Sequence, residues 1–93
     1  MIEDELEGAE DYIKCALEHK EDNPELAKLF SQLSNEEMDH MSRLHKAVVT
    51  LIEDYRAKQG EPPPEMMAVY EYLHKKHIDK AAQIKVMQEM FKS

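Results

Sequence analysis

Proline and glycine positions divide this chain into segments. Only two glycines and four prolines occur, and three of the prolines stand together in Gly60-Glu61-Pro62-Pro63-Pro64. Consecutive prolines cannot continue a helix, because each lacks an N–H donor and its ring clashes with the preceding turn. A second break is Lys20-Glu21-Asp22-Asn23-Pro24, where Asn23 suits a helix N-cap and Pro24 suits the first helical position. The sequence therefore predicts helices over about 2–20, 24–58 and 64–91.

Apolar residues recur every three or four positions within each segment, which is the period of an amphipathic helix. These positions are Leu6, Ala9, Ile13 and Ala16 in the first helix; Leu26, Leu29, Phe30, Leu33, Leu44, Val48, Leu51, Ile52 and Tyr55 in the second; and Met66, Tyr70, Leu73, Ala81, Ile84, Met87 and Phe91 in the third. No strand-like alternation of useful length is present. We expect a single all-α domain over residues 1–93, with a hairpin over about 2–58, a proline-rich hinge at 60–64 and a C-terminal helix.

The short loop between the first two segments predicts that they pack antiparallel as a helical hairpin. The second helix is much longer than the first, so its part after about residue 42 must pack against another surface. The third helix, a second subunit, or both are the candidates. A chain this short buries a modest core, which makes oligomerisation an expectation.

The charge of the chain excludes several classes of partner. A net charge of −8, from 12 basic and 20 acidic side chains, argues against nucleic acid and against anionic membranes. It is compatible with cation binding, although acidic surfaces commonly serve solubility alone. The single cysteine, Cys15, excludes an intrachain disulfide, and the acidic start Met1-Ile2-Glu3-Asp4-Glu5 does not resemble a secretory signal. No apolar run is long enough to span a bilayer, so we expect a cytoplasmic setting.

Two polar residues interrupt the apolar face of the second helix. Continuing from Leu33 at helical spacing, the next positions are Glu37 and His40, followed by Leu44. A carboxylate on a buried face is costly unless a cation, a proton or a metal accompanies it. Glu-x-x-His on one helix is a recognised way to present two ligands to one metal centre. The alternative is that Glu37 and His40 pair with each other or with a basic group, without metal.

The predicted hairpin brings a third candidate ligand level with this pair. Given the position of the turn, residues 3–6 lie opposite residues 37–40, and Glu5 falls inside that window. Glu7 and Glu10 do not join it, because Glu7 points to solvent and Glu10 lies too close to the turn. Glu5 is therefore the predicted companion of the second-helix pair.

Two segments of the sequence resemble a known family at five positions. The segments are Glu5-Leu6-Glu7-Gly8-Ala9-Glu10-Asp11-Tyr12 and Asn35-Glu36-Glu37-Met38-Asp39-His40. They resemble the ferritin-like di-iron proteins, most closely the rubrerythrin-type and encapsulated-ferritin half-bundles, over about residues 2–52. Those families share a first-helix Glu, a small residue three positions later, a Tyr seven positions later and a second-helix Glu-x-x-His. In this sequence the pattern is met by Glu5, Gly8, Tyr12, Glu37 and His40.

The resemblance implies an iron centre shared between two chains. A full ferritin-like bundle carries two Glu and two Glu-x-x-His sets on four helices, whereas this chain has one of each. Pairing about a two-fold axis, as a homodimer or within a higher homo-oligomer, supplies the second half of a four-helix bundle. The roles that the resemblance implies are a terminal ligand for Glu5, a bridging ligand for Glu37, a terminal nitrogen ligand for His40 and a hydrogen-bond donor to a ligand for Tyr12. The implied chemistry is ferroxidase-like or peroxide-related, and the same ligands suit manganese and zinc.

Other features are weaker or point elsewhere. Glu71 and His74 form a second Glu-x-x-His that lies off the apolar face of the third helix, while His77 lies on it. The favoured interpretation is a structural histidine beside a solvated glutamate, and adventitious binding of a divalent ion is the alternative. A function of another class also stays open: a non-catalytic helical interaction or structural protein that retains the hairpin, of the kind that a phage or mobile element encodes.

Overall fold

The computed structural model describes residues 2–93 and contains α1 (Ile2–His19), α2 (Pro24–Gln59) and α3 (Pro64–Lys92). The described residues form no strand, which confirms the predicted all-α class. Each predicted helix end lies within one residue of the observed end. None of the described helices combines the length and the apolar character needed to cross a membrane.

The helix ends follow from local chemistry. The side-chain oxygen of Asn23 accepts a hydrogen bond from the backbone N–H of Leu26 at 3.3 Å, and Pro24 occupies the first turn of α2. At its other end α2 stops at Gly60, which has a φ of 84°, a left-handed conformation that glycine adopts at little cost. The N–H of Gly60 donates to the carbonyl of Arg56. Both predicted breaks are therefore confirmed.

Small side chains make up most of the buried contact between α1 and α2. The buried residues are Leu6, Ala9, Ile13 and Ala16 on α1, as predicted, and Ala27, Ser31, Ser34 and Met38 on α2. The distance between two packed helices depends on the side chains at the contact, and alanine and serine allow a close approach. This packing fixes which parts of the two helices lie level with each other.

The buried face of α2 differs from the apolar face that the sequence predicted. The predicted face is half-buried or exposed in one chain and lies about a third of a turn from the buried residues. The prediction was wrong because alanine and serine, not leucine, fit between the closely packed helices. We call the half-buried or exposed positions of this face the outward row; they are Leu26, Leu29, Leu33, Glu37, His40, Leu44, Val48, Leu51, Ile52 and Tyr55.

The C-terminal half of α3 packs against α1. Ile84 is fully buried together with Leu6 and Ile13 in the main apolar cluster. Lys80 Nζ lies 3.0 Å from Glu10 Oε1, and this lysine lowers the pKa of Glu10 by favouring the ionised carboxylate. The contacts of α3 with α1 thus include the buried Ile84 and the ion pair of Lys80 with Glu10.

A single buried hydroxyl connects all three helices. Ser34 is fully buried, and its Oγ donates a hydrogen bond to the carbonyl oxygen of Ala9 at 2.7 Å. The same oxygen accepts a hydrogen bond from Gln88 Nε2 at 3.0 Å. Because Ala9, Ser34 and Gln88 belong to different helices, this relay ties α3 to the α1–α2 contact.

The C-terminal part of α2 extends past the N-terminal end of α1 and has α3 as its neighbour. The His45 ring stacks on His74 with centroids 4.6 Å apart, and Tyr70 extends the stack at 5.5 Å. This stacking confirms the prediction that the third helix packs against the C-terminal part of α2. Large apolar side chains nevertheless stay in water here, since Leu51 is 67% and Met66 is 62% exposed. The molecule is elongated, 56 × 19 × 18 Å.

We expect Ser34→Ala to lower the free energy of unfolding by about 1 kcal/mol, because Gln88 loses its acceptor and Ser34 no longer donates to Ala9. Urea denaturation followed by circular dichroism measures the change. Ser31→Ala is the matched control, since Ser31 is also buried on α2 but its hydroxyl makes no hydrogen bond within the described chain. Equal losses in the two variants would contradict a special role for the relay.

Candidate metal centre

The hairpin brings Glu5, Glu37 and His40 together. Glu5 lies near the start of α1, and Glu37 and His40 lie one turn apart on α2. One ligand atom from each residue lies within 4.8 Å of the other two. His40 Nδ1 is 3.4 Å from Glu5 Oε2. The three residues predicted from the sequence therefore form one cluster, which is the arrangement that the hairpin register required.

The cluster is open to solvent on one side. The His40 side chain is 52% exposed and the Glu5 side chain is 26% exposed, while Glu37 is half-buried. One oxygen, Glu5 Oε2, is nevertheless buried; among the described residues it faces His40 Nδ1 at 3.4 Å and the Glu37 carboxyl, without a well-aligned hydrogen bond. Buried carboxylate oxygens are normally paired, so this atom is positioned to contact a cation.

The two carboxyl groups influence each other's protonation. The pKa of Glu37 is raised, chiefly because its carboxyl shares a hydrogen bond with Glu5, and also through burial and repulsion from the Glu5 charge. The pKa of Glu5 is lowered, with the hydrogen bond to Glu37 as the largest cause and His40 as a further one, against the opposing effect of burial. A pair of neighbouring carboxyls that favours holding one proton between them is also suited to a cation.

Gly8 provides space for the Glu37 carboxylate. A Cβ atom added at Gly8 would lie 3.4 Å from Glu37 Oε2 and 3.5 Å from its Cδ. An alanine at position 8 would therefore contact the Glu37 carboxylate. A larger side chain there would occupy the space in which that carboxylate lies. The small residue that the sequence pattern singled out thus has a steric role beside the cluster.

Tyr12 lies on the same hairpin but makes another contact. Its ring stacks on Phe30 with centroids 6.2 Å apart. The hydrogen bonds of the described residues include none between Tyr12 and Glu5, Glu37 or His40. Its role as a donor to a ligand therefore stays a prediction.

The weaker candidates are not brought together. Glu71 is exposed, His74 stacks between His45 and Tyr70, and His77 Nε2 faces Glu3 at 3.6 Å. Within residues 2–93, these side chains form no group with metal-binding spacing. The structural interpretation of the third-helix histidines is therefore favoured.

The excluded glutamates of the first helix lie where the sequence placed them. Glu7 is exposed, and Glu10 pairs with Lys14 and Lys80. The supporting relay through Ser34 and Gln88 was missed. A serine in a helix interior, one turn before Glu37, was the only available signal for it.

Comparison with known proteins assigns the chain to a family. The family model described as Rubrerythrin matches residues 2–92. The chain belongs to the rubrerythrin family. This family is part of the ferritin-like superfamily, which confirms the resemblance and extends it beyond residue 52 to include α3. No curated protein and no solved structure gave a significant match.

We expect Gly8→Leu to weaken divalent-metal binding by about tenfold or more, because the new side chain displaces the Glu37 carboxylate. Gly8→Ala should bind metal nearly as the wild type does and should raise stability by up to about 1 kcal/mol through its helix propensity. Calorimetric titration with Mn(II) and thermal unfolding measure the two effects. Unchanged affinity in a folded Gly8→Leu variant would contradict the assigned role of Gly8.

Proposed function

We propose that this rubrerythrin-family protein binds iron through Glu5, Glu37 and His40 and oxidises Fe(II), with the centre shared between two copies of the chain. The observation that carries the proposal is the convergence of two carboxylates and one imidazole within 4.8 Å of one another, with the buried Glu5 Oε2 among their atoms. Members of the family generally bind iron, and oxygen and imidazole ligands suit that metal.

The donor set of one chain is half of a di-iron site. Ferritin-like bundles hold two metals with four carboxylates and two histidines, whereas the cluster here offers two carboxylates and one histidine. The incomplete set and the exposure of His40 both support completion by a second copy. A second copy related by two-fold symmetry would contribute the same three residues and close the open side.

The residues of the chain have separable tasks in this proposal. Bound iron supplies the electrons for reduction of dioxygen. Glu5 and Glu37 neutralise the positive charge, and His40 contributes a neutral nitrogen ligand. At a pH below the raised pKa of Glu37, the proton on the carboxyl pair must leave when a cation binds, because ligands bind metal in their deprotonated form. Gly8 keeps the space in which the Glu37 carboxylate lies.

The decisive measurement is iron content together with the rate of Fe(II) oxidation. We expect about one iron per chain in the wild type, and formation of ferric product, followed by near-ultraviolet absorbance, at least about tenfold faster than without protein. Glu37→Gln and His40→Ala should lose both, because each removes a ligand.

Glu36→Gln is the matched control, since Glu36 is the exposed neighbour of Glu37 and lies outside the cluster. It should behave as the wild type does. Equal iron content in all four proteins would contradict the site, and oxidation at the protein-free rate by an iron-loaded wild type would contradict the activity. The second result would favour the non-catalytic interaction protein.

Metal affinity should fall as pH falls. The raised pKa of Glu37 means that the metal-free cluster keeps a proton above the ordinary range of a glutamate, and a metal must displace it. We expect release of about one proton per chain at a pH below that raised pKa, and an affinity that decreases as pH drops through it. Calorimetry with Mn(II) in two buffers of different ionisation enthalpy measures the proton, and a pH-independent affinity would contradict the shared-proton account.

A further inference from the structure

A cleft between α2 and α3 opens beside the start of α1. Its volume is about 490 Å³, which lies in the range of small-molecule sites, and such sites often form between packed helices. All three helices contribute to its lining, but no lining residue belongs to the outward row or to the Glu5–Glu37–His40 cluster. The cleft is therefore separate from the candidate metal centre and from the apolar face beside that centre.

The cleft is elongated and mostly apolar. Its lining on α3 runs from His74 to Lys85, three turns of helix or about 16 Å. Ile2, Met41 and Ile78 line it from the three helices, and Ile78 is 52% exposed in the absence of an occupant. The stacked rings of His45 and His74 lie at one end. A long apolar groove of this shape suits an extended alkyl chain better than a compact ring.

The charge of the cleft is opposite to that of the chain. Acidic side chains outnumber basic ones by 20 to 12 in the whole sequence, yet none of the described lining residues is acidic, while Lys46 and Lys85 are basic. Neither lysine makes a hydrogen bond or an ion pair with another described residue. The carboxylate of Glu3 lies nearby but faces His77 Nε2, at 3.6 Å. The two lysines, one on each helix, therefore attract an anionic group to the cleft.

We propose that this cleft binds a linear aliphatic carboxylate as a free small molecule. The alkyl chain lies along the groove between α2 and α3, where burial of apolar surface stabilises the complex. The carboxylate stays at the mouth of the cleft beside the ammonium groups, because lysine covers apolar surface with its stem and keeps its charged end in water. The site goes beyond the proposed function and does not depend on it, since no candidate metal ligand lines the cleft.

Two amphiphiles with the same alkyl chain and opposite charges test the sign of the site. Isothermal titration calorimetry measures the binding of decanoate and of decyltrimethylammonium, each below the concentration at which it forms micelles. We expect one decanoate per protein chain, bound at least about tenfold more tightly than the cation. The comparison is stringent, because a net charge of −8 favours the cation on the molecule as a whole.

A blocking substitution tests the position of the site. Ala82 lines the cleft but is itself exposed, so Ala82→Trp should fill the groove without disturbing the core and should abolish decanoate binding. Gln83→Trp is the matched control, since Gln83 is exposed at the next position and lies outside the lining. It should bind decanoate as the wild type does.

A pair of double variants tests the charges. Lys46→Gln combined with Lys85→Gln should weaken decanoate binding at least about fivefold, because both ammonium groups beside the carboxylate are lost. Lys58→Gln combined with Lys75→Gln removes the same total charge from exposed lysines outside the lining. This control should keep the wild-type affinity.

Several results would overturn the proposal. These are the absence of saturable decanoate binding, equal affinity for the two amphiphiles, and decanoate binding that survives Ala82→Trp. Attachment to phosphatidylglycerol vesicles without binding of free decanoate would also overturn it, in favour of a membrane-docking surface. Glu37→Gln separates the cleft from the metal centre: decanoate binding that persists in a variant without iron supports an independent site, and joint loss of both overturns that independence.

Discussion

The close contact between α1 and α2 is the constraint on which the rest of the structure depends. Alanine and serine side chains make up most of this contact, and the buried Ser34 hydroxyl donates a hydrogen bond to the Ala9 carbonyl across it. Because the two helices approach closely and in a fixed register, Glu5 reaches Glu37 and His40 from the opposite helix. A larger residue at these positions would separate the helices and, with them, the three side chains of the cluster.

The same contact decides where the large apolar residues of α2 lie. With the space between the helices filled by small side chains, the leucines of α2 are left on the outward row. Glu37 and His40 belong to that row, so the cluster and the uncovered apolar surface form one continuous face of the molecule. In a single copy of this chain, apolar side chains of the row stay in water and the cluster stays open to solvent on one side. Under the proposed function, a second copy that completes the metal site would also cover the apolar face beside it.

Without a cation, the two neighbouring carboxyl groups of Glu5 and Glu37 destabilise the folded chain. Two carboxyl groups compete for one proton, which raises the pKa of Glu37 while that of Glu5 falls. A chain selected only for stability would place leucine at such positions, as it does one and two turns away on the same row. Membership of the rubrerythrin family agrees with a cluster that is kept for a ligand. The hydrogen bonds from Gln88 to Ser34 and from Ser34 to Ala9 connect α3 to the α1–α2 hairpin, which carries the candidate ligands.

The sequence alone determined the three helices, their ends, the hairpin register and the convergence of Glu5, Glu37 and His40. Those features depend on local rules, since prolines and Asn23 set the breaks, and a short loop fixes which residues lie level. Tertiary structure decided which face of α2 is buried, because apolar periodicity identifies an apolar face but not the neighbour that covers it. Ala27, Ser31 and Ser34 are weak apolar signals, yet their small size suits the close contact with α1. The position of α3 was also beyond the sequence, because it depends on contacts such as Lys80 with Glu10 and Gln88 with Ser34 between residues far apart in the chain.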